Sequence, residues 1–302
     1  MRVLVTGVNG QLGHDVLRTL HERGHEAVGS GSAGAYRGED ELGALPYAQL
    51  DITDAAAVDG LFAALRPDAL IHCSAWTAVD AAEDAENREK VFALNETGPR
   101  NLARACETIG AKMLYLSTDY VFDGQGTRPW EPEDTNFSPL NVYGQSKLAG
   151  ERAVAGNTDR FFIVRIAWVF GKNGKNFVRT MLKLGVTHES LRVVCDQVGT
   201  PTYTADLAPL LADMIETERY GVYHATNEGG WISWYDFACE LFRQAAMDVR
   251  VEPVTTEEYG ASKAARPRNS RLDKEKLTRE GFRRLPVWQD ALARYLKETG
   301  ER

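Results

Sequence analysis

The first thirteen residues constrain this chain more than any other stretch. Val3-Leu4-Val5-Thr6 is a short apolar run, and Gly7-Val8-Asn9-Gly10-Gln11-Leu12-Gly13 follows it directly. Leu12, Val16, Leu17 and Leu20 then recur at helical spacing, and Gly24 can end that helix. A strand that turns straight into a helix needs a sharp bend, and glycine permits both the bend and the close approach of a ligand. The helix start offers free N–H groups and the positive end of its dipole to a pyrophosphate. The spacing is GxxGxxG and not GxGxxG, so a plain tight turn is the competing reading. The strand-to-helix setting favours a dinucleotide site, with Gly7, Asn9, Gly10, Gln11, Leu12 and Gly13 as its candidate residues.

Apolar runs at residues 26–29, 48–52, 69–74, 113–117 and 162–169 read as further strands covered on both faces. Thr53-Asp54 can cap a helix over 55–65 that Pro67 stops, and Val91, Leu94, Leu102 and Ala105 belong to a longer helix. This alternation predicts an α/β fold, a doubly wound, Rossmann-like parallel sheet with right-handed crossovers. The pattern changes near residue 170. Residues 171–176 are loop-like. Helices are expected at 177–184, 206–216, 235–246 and 288–297, strands at 191–194 and 222–225, and residues 253–271 read as irregular. The expected division is an NAD(P)-binding domain over 1–170, completed by a strand and helix near 204–226, and a smaller mixed C-terminal substrate lobe over 171–302.

Charge and cysteine usage remove several classes. Lys and Arg number 35 against 43 Asp and Glu, a net charge of −8 with no basic run, which suits a nucleic-acid backbone poorly. No apolar stretch approaches the ~18 residues of a membrane span. The N-terminus reads as a strand and not a signal peptide, because no small-residue cleavage site follows it. Cys73, Cys106, Cys195 and Cys239 are far apart with no CxxC, and the six His residues form no metal-binding motif. Free thiols in a reducing cytoplasm fit this usage better than a disulfide framework or a zinc site.

NAD-preferring sites place an acidic residue about 20 residues beyond the glycine turn, on the ribose 2′-OH. Here Gly29-Ser30-Gly31-Ser32 stands in that place, and the next carboxylate is Glu39. Small hydroxyl side chains, Ser30 first, leave room for a 2′-phosphate within reach of Arg37, which favours NADPH while allowing NADH. Asp51 and Ile52 end the third strand, where they can flank the adenine; helix capping is the other reading of Asp51. Tyr143 and Lys147 stand at i and i+4, on one face of a helix. A nearby ammonium favours the phenolate, so a lowered tyrosine pKa is expected. Thr118 ends the fifth strand, where an open α/β sheet faces its ligand crevice, although a β-favouring residue at a strand end needs no such role.

These residues resemble the extended short-chain dehydrogenase/reductase superfamily, and within it the dTDP-4-dehydrorhamnose reductase family. Beyond Gly7–Gly13, the resemblance rests on residues 75–83 (AWTAVDAAE), 117–122 (STDYVF), 139–147 (PLNVYGQSK), 165–170 (RIAWVF), 196–202 (DQVGTPT) and 266–272 (RPRNSRL). It implies hydride transfer from NAD(P)H to the C4 ketone of dTDP-6-deoxy-L-lyxo-4-hexulose, giving dTDP-L-rhamnose. By that analogy Tyr143 protonates the forming alkoxide, Lys147 tunes Tyr143 and holds the nicotinamide ribose, and Thr118 orients the ketone. Gly10, Gln11 and Leu12 hold the pyrophosphate, and Ala75, Trp76 and Thr77 line the cofactor. Val79, Asp119, Tyr120 and Trp168 contact the sugar; a core aromatic in an apolar strand fits Trp168 nearly as well. Arg266 and Arg268 would clamp the diphosphate, with a solvated loop as the plainer reading.

Some members of this family form a dimer bridged by Mg²⁺. Asp196 matches one such position and Asp15 is a candidate companion, but two separated carboxylates do not specify a metal, so none is predicted. A monomer or homodimer in the cytoplasm is expected, with a nucleotide-sugar substrate and no nucleic-acid or membrane partner. A dehydratase or epimerase of the same superfamily competes. Dehydration needs a second carboxylate after Asp119, and Tyr120 stands there. A non-catalytic NADP-binding regulatory subunit is the reading from another class. The intact Thr118, Tyr143 and Lys147 favour an enzyme.

Overall fold

The computed structural model describes residues 1–38 and 40–300. The chain runs β1 (Arg2–Thr6), α1 (Gln11–Glu22), β2 (Glu26–Gly31), β3 (Tyr47–Gln49), α2 (Ala55–Leu65), β4 (Ala69–His72), α3 (Arg88–Phe92), α4 (Gly98–Ile109), β5 (Lys112–Thr118), α5 (Val142–Ala155) and β6 (Phe161–Ile166). It continues through β7 (Val169–Phe170), α6 (Phe177–Gly185), β8 (Ser190–Val194), β9 (Val198–Gly199), β10 (Thr202–Tyr203), α7 (Thr204–Ile215) and β11 (Gly221–His224). Last come β12 (Ile232–Ser233), α8 (Trp234–Gln244), β13 (Arg250–Val254), α9 (Thr256–Tyr259), α10 (Glu275–Arg279) and α11 (Trp288–Thr299).

Seven strands form one parallel sheet in the order β11-β6-β5-β4-β1-β2-β3. Successive residues of a strand face opposite sides. Val3 and Val5 therefore pack with Leu17, Leu20 and Leu211, while Leu4 packs with Val58, Phe62 and Leu102 on the other face. Burying each such side chain contributes roughly 1.5–3 kcal/mol. This is the doubly wound, Rossmann-like arrangement. Its strand order reverses at β1, between β4 and β2, and the switch point opens a crevice at the strand C-termini. A separate apolar cluster, with Phe170, Tyr203, Phe237, Trp288 and Tyr295, holds the C-terminal part together.

Several elements differ from the sequence expectation. The run 162–169 is broken: β6 stops at Ile166, and Trp168 takes φ +52. That left-handed residue turns Val169 and Phe170 away to pair with β10. Residues 50–52 and 73–74 fall outside β3 and β4, because their neighbours β2 and β1 end at Gly31 and Thr6. Residues 253–271 are not irregular throughout. β13 pairs with β8 over five residues, and α9 begins with a reciprocal cap between Thr255 and Glu258. The long helix through Val91 and Leu102 is α3 and α4 joined by a π-helical turn at Ala93–Thr97.

Candidate active site

The glycine turn is shaped by two close approaches. Gly7 has φ +76, and a Cβ there would sit 2.8 Å from the Ser74 backbone nitrogen. A Cβ on Gly13 would collide with the Gly7 carbonyl, so α1 packs directly on the turn. Gly10 is the N-cap of α1. No side chain caps the helix and its first turn holds no acidic residue, so its free N–H groups suit a pyrophosphate. Asn9 braces the loop after β2, donating to Ala35 O at 3.3 Å and accepting from Arg37 N at 2.8 Å. Gln11 reaches the other way, donating to Lys175 O at 3.2 Å and accepting from Asn176 Nδ2 at 3.0 Å. Leu12 is buried in the core beneath.

Ser30 is buried at the end of β2. Its carbonyl accepts from Gly7 N at 2.8 Å, and its hydroxyl has no hydrogen-bond partner among the described residues. Ser32 and Arg37 are exposed on the loop that follows; Glu39 lies outside the described residues. Asp51 is a turn residue whose carboxylate accepts from Thr53 N and Oγ1 at 2.9 and 2.7 Å. The cap of α2 is instead Asp54, which accepts from Ala57 N. Ile52 is buried against Gly98 of α4. Ala75 and Trp76 are half-buried and Thr77 is exposed. The buried Asn95 side chain pairs with both Trp76 backbone groups, at 2.8 and 3.1 Å, and donates to Ser146 Oγ at 2.9 Å.

Across the crevice, α5 is capped twice. Asn141 Oδ1 accepts from Gly144 N at 2.8 Å, and Glu83 Oε1 accepts from Val142 N at 2.7 Å. These bonds fix the first turn, which carries Tyr143, and hence Lys147 one turn later. Thr118 Oγ1 donates to Asp119 Oδ1 at 3.0 Å and accepts from Tyr120 N at 3.2 Å. The Tyr143 hydroxyl lies beside the Thr118 side chain, and the Tyr120 ring stands edge-on to Tyr143 at 5.6 Å.

The electrostatics correct one expectation. Burial pushes the Tyr143 pKa up, opposed by the neighbouring Thr118 side chain; it is not lowered by Lys147. The reason is geometric. Lys147 Nζ donates to Leu116 O at 2.7 Å and lies 4.1 Å from the Tyr115 ring centre. Burial pulls the pKa of Lys147 itself down to about 7, against the charge of Glu151. Asp119 is pushed up to about 6 by burial, against the Ser270 and Thr118 side chains beside it, and its Oδ2 makes no hydrogen bond of ordinary geometry among the described residues.

The remaining expected contacts are built from distant residues. Trp168 is half-buried and stacks on Trp234 with ring centres 3.8 Å apart. A Cβ on Gly199 would sit 3.0 Å from the Trp168 indole and from Ser270 Cβ. Val79 is half-buried beside Asp80. The expected diphosphate clamp finds both guanidiniums engaged. Arg266 Nη2 donates to Asp80 Oδ2 at 2.6 Å, and the exposed Arg268 lies on Glu257 at 3.2 Å and Asp196 at 3.6 Å. Asp196 also accepts from Thr256 N and Oγ1, whereas Asp15 accepts from Thr204 Oγ1 at 2.5 Å, so the two carboxylates have no partner in common. Among the described residues no group of three or more His, Cys, Asp or Glu is arranged to hold a metal. The sequence reading passed over Asn95, Trp234, Ser270 and the pairing of Asp80. Asp80 and Ser270 lie inside recognisable segments, but Asn95 and Trp234 carry no periodic or motif signal.

Known proteins resemble this chain over nearly its full length. The RmlD substrate binding domain family matches residues 1–300. A dTDP-4-dehydrorhamnose reductase from Streptomyces griseus is 43% identical over 298 residues, covering 96% of this chain and 91% of the relative. The spore coat polysaccharide biosynthesis protein SpsK from Bacillus subtilis is 38% identical over 297 residues, covering 98% and 97%. A crystal structure of dTDP-4-dehydrorhamnose reductase from Bacillus anthracis in complex with NADP superposes with a TM-score of 0.88 at 39% identity, covering 99% of each chain. With the glycine turn, the Thr118–Tyr143–Lys147 corner and this full-length likeness in place, the chain belongs to the RmlD substrate binding domain family.

Proposed function

We propose that this chain is an NADPH-dependent oxidoreductase that reduces the C4 ketone of dTDP-6-deoxy-L-lyxo-4-hexulose to dTDP-L-rhamnose. The juxtaposition of Thr118, at the C-terminal end of β5, with Tyr143 in the first turn of α5, and Lys147 one turn on, carries the reading. The full-length relatives named as dTDP-4-dehydrorhamnose reductases support it. Bound NADPH supplies the hydride. Gly7, Gly10, Gln11, Leu12 and Gly13 form its pyrophosphate cradle around the uncapped start of α1. Arg37 and Ser32 lie on the loop braced by Asn9, on the 2′-phosphate side. Ser30 leaves space there. Ala75, Trp76 and Thr77, with Asp51 and Ile52, complete the wall.

Ketone reduction requires a proton as well as a hydride. Burial keeps the Tyr143 phenol protonated at neutral pH, so it can donate that proton to the developing alkoxide. Thr118 Oγ1 orients the same oxygen. Lys147, as an ammonium, favours the phenolate left behind. Asp119, Tyr120, Val79 and Trp168 face the sugar, and Asp80 holds Arg266 on that side. No described helix is long and apolar enough to cross a membrane. A cytoplasmic place and a monomeric or homodimeric state belong to the same proposal. The test follows reduced-nicotinamide absorbance with the 4-keto sugar nucleotide generated in situ, beside a Tyr143→Phe control. Oxidation lost in the control supports the reading. No oxidation of NADPH or NADH by folded protein overturns this substrate.

A further inference from the structure

Beneath the site lies a buried charge chain outside the Thr118–Tyr143–Lys147 corner. Glu151 stands one helical turn beyond Lys147 on α5, and both side chains are buried. At this spacing their Cβ atoms are about 5–6 Å apart. Arg165 on β6, 2% exposed, grips Glu151 with two parallel bonds, Nε to Oε1 at 2.9 Å and Nη2 to Oε2 at 2.8 Å. Arg165 cannot swing away. Its Nη1 faces Pro132 O at 3.3 Å and His224 Nε2 at 3.4 Å, and the Phe122 and Phe137 rings flank the guanidinium at 5.1 and 5.0 Å. The paired carboxylate is thus fixed in place one turn from Lys147.

We propose that Glu151, locked by Arg165, is a positioning residue of this site: its carboxylate holds Lys147 in the ammonium form beneath the cofactor crevice. The proposal rests on the reading of Tyr143 and Lys147 given above. The groups that face Lys147 are few. Tyr115 on β5 presents its ring and Leu116 its carbonyl. His72 and Cys73, at the end of β4, are both uncharged at neutral pH, since burial drops the imidazole to about 3 and lifts the thiol to about 12. Tyr115, which Glu151 also faces, is kept a neutral phenol by burial. Among the described residues Glu151 is the foremost group opposing the desolvation of Lys147, ahead of the Cys73 thiol. Burial alone drives a lysine to shed its proton.

The test titrates the ¹³Cε resonance of Lys147 in ¹³C-lysine-labelled full-length protein, assigned with Lys147→Arg, alongside the pH profile of turnover. Glu151→Gln removes the charge but strands a buried Arg165 and risks unfolding. Glu151→Leu combined with Arg165→Met keeps the core filled. In whichever of these folds, the Lys147 midpoint should fall by about one pH unit, and the alkaline limb of turnover should fall with it. Glu151→Asp, which keeps the charge, should hold the midpoint near the parent's. A midpoint that stays put in the folded double variant overturns the proposal and leaves the pair as core packing. A midpoint that falls while the turnover profile does not move upholds the charge chain and overturns the role given to Lys147 in turnover.

Discussion

The glycine turn and the Trp168 corner are held by different kinds of contact. The turn is backbone against backbone: Gly7 against Ser74, Gly13 against Gly7, and Gly10 leaving a helix start open. The proposed sugar side is side chain against side chain, across long stretches of sequence. Arg266 meets Asp80 186 residues away, and Trp168 meets Trp234. Backbone shape binds what every dinucleotide carries, a pyrophosphate. Long-range side-chain pairs can change one partner at a time, so they suit the part of the site that selects a particular sugar.

Substitutions should separate the two sides. The largest effect is expected from Tyr143→Phe, which removes the proposed proton donor. Turnover should fall by about a hundred- to ten-thousand-fold, while the NADPH dissociation constant, read by nicotinamide fluorescence, stays near the parent's. A comparable loss of NADPH binding would mean that Tyr143 belongs to the cofactor side. Next is Gly13→Val. The added Cβ alone must displace the Gly7 carbonyl, and the two methyls add to an overpacking that costs roughly 1–3 kcal/mol. NADPH binding should weaken about tenfold or more, with a lower thermal midpoint, while KM for the sugar nucleotide at saturating NADPH changes little.

A smaller effect is expected from Asp80→Asn. Asp80 also accepts from Lys263 N and Ala264 N at 3.0 Å each, so it ties down the segment that carries Arg266. The pair is partly exposed, and its stability contribution is at most about 1 kcal/mol. Its effect should appear instead in a raised KM for the sugar nucleotide, with NADPH binding unchanged. If NADPH binding weakens equally, the two sides are not independent.

The same division explains what the sequence made legible. Strand and helix order, the glycine turn and the Tyr143–Lys147 spacing are local, each set within a few residues by period or by glycine. The Tyr143 pKa was misjudged because spacing puts Lys147 on the correct face but does not reveal that its amine bonds the Leu116 carbonyl. Trp168 read as part of a strand because its neighbours are apolar; the left-handed backbone that ends β6 has no glycine to announce it. The arginines of residues 266–268 looked free because the carboxylates that engage them are far away in sequence or, like Glu257, on a short helix the pattern did not show. Asn95 resembles any polar residue in a helix until the π-helical turn places it against Trp76.

Two buried carboxyls offer the finest test of the difference. Burial raises both Asp15 and Asp119 to about 6. A raised carboxyl favours the folded state while protonated, so that stability is present below the ordinary carboxylate range and is lost as pH rises through about 6. Replacing either residue with Asn should flatten the fall in thermal midpoint over that window. Their surroundings differ. Asp15 already accepts from Thr204 and lies near Arg18 and Lys172, in the seam between α1 and α7. Asp119 lies beside Thr118 and Ser270 on the proposed sugar side, and one of its oxygens, Oδ2, makes no hydrogen bond of ordinary geometry among the described residues. A sugar hydroxyl donating to that oxygen binds the carboxylate better than the acid. KM for the sugar nucleotide should therefore rise a few-fold as pH falls through about 6, and Asp119→Asn should abolish that dependence. Asp15→Asn should leave it in place; if it does not, the pH response belongs to the fold as a whole and not to the sugar side.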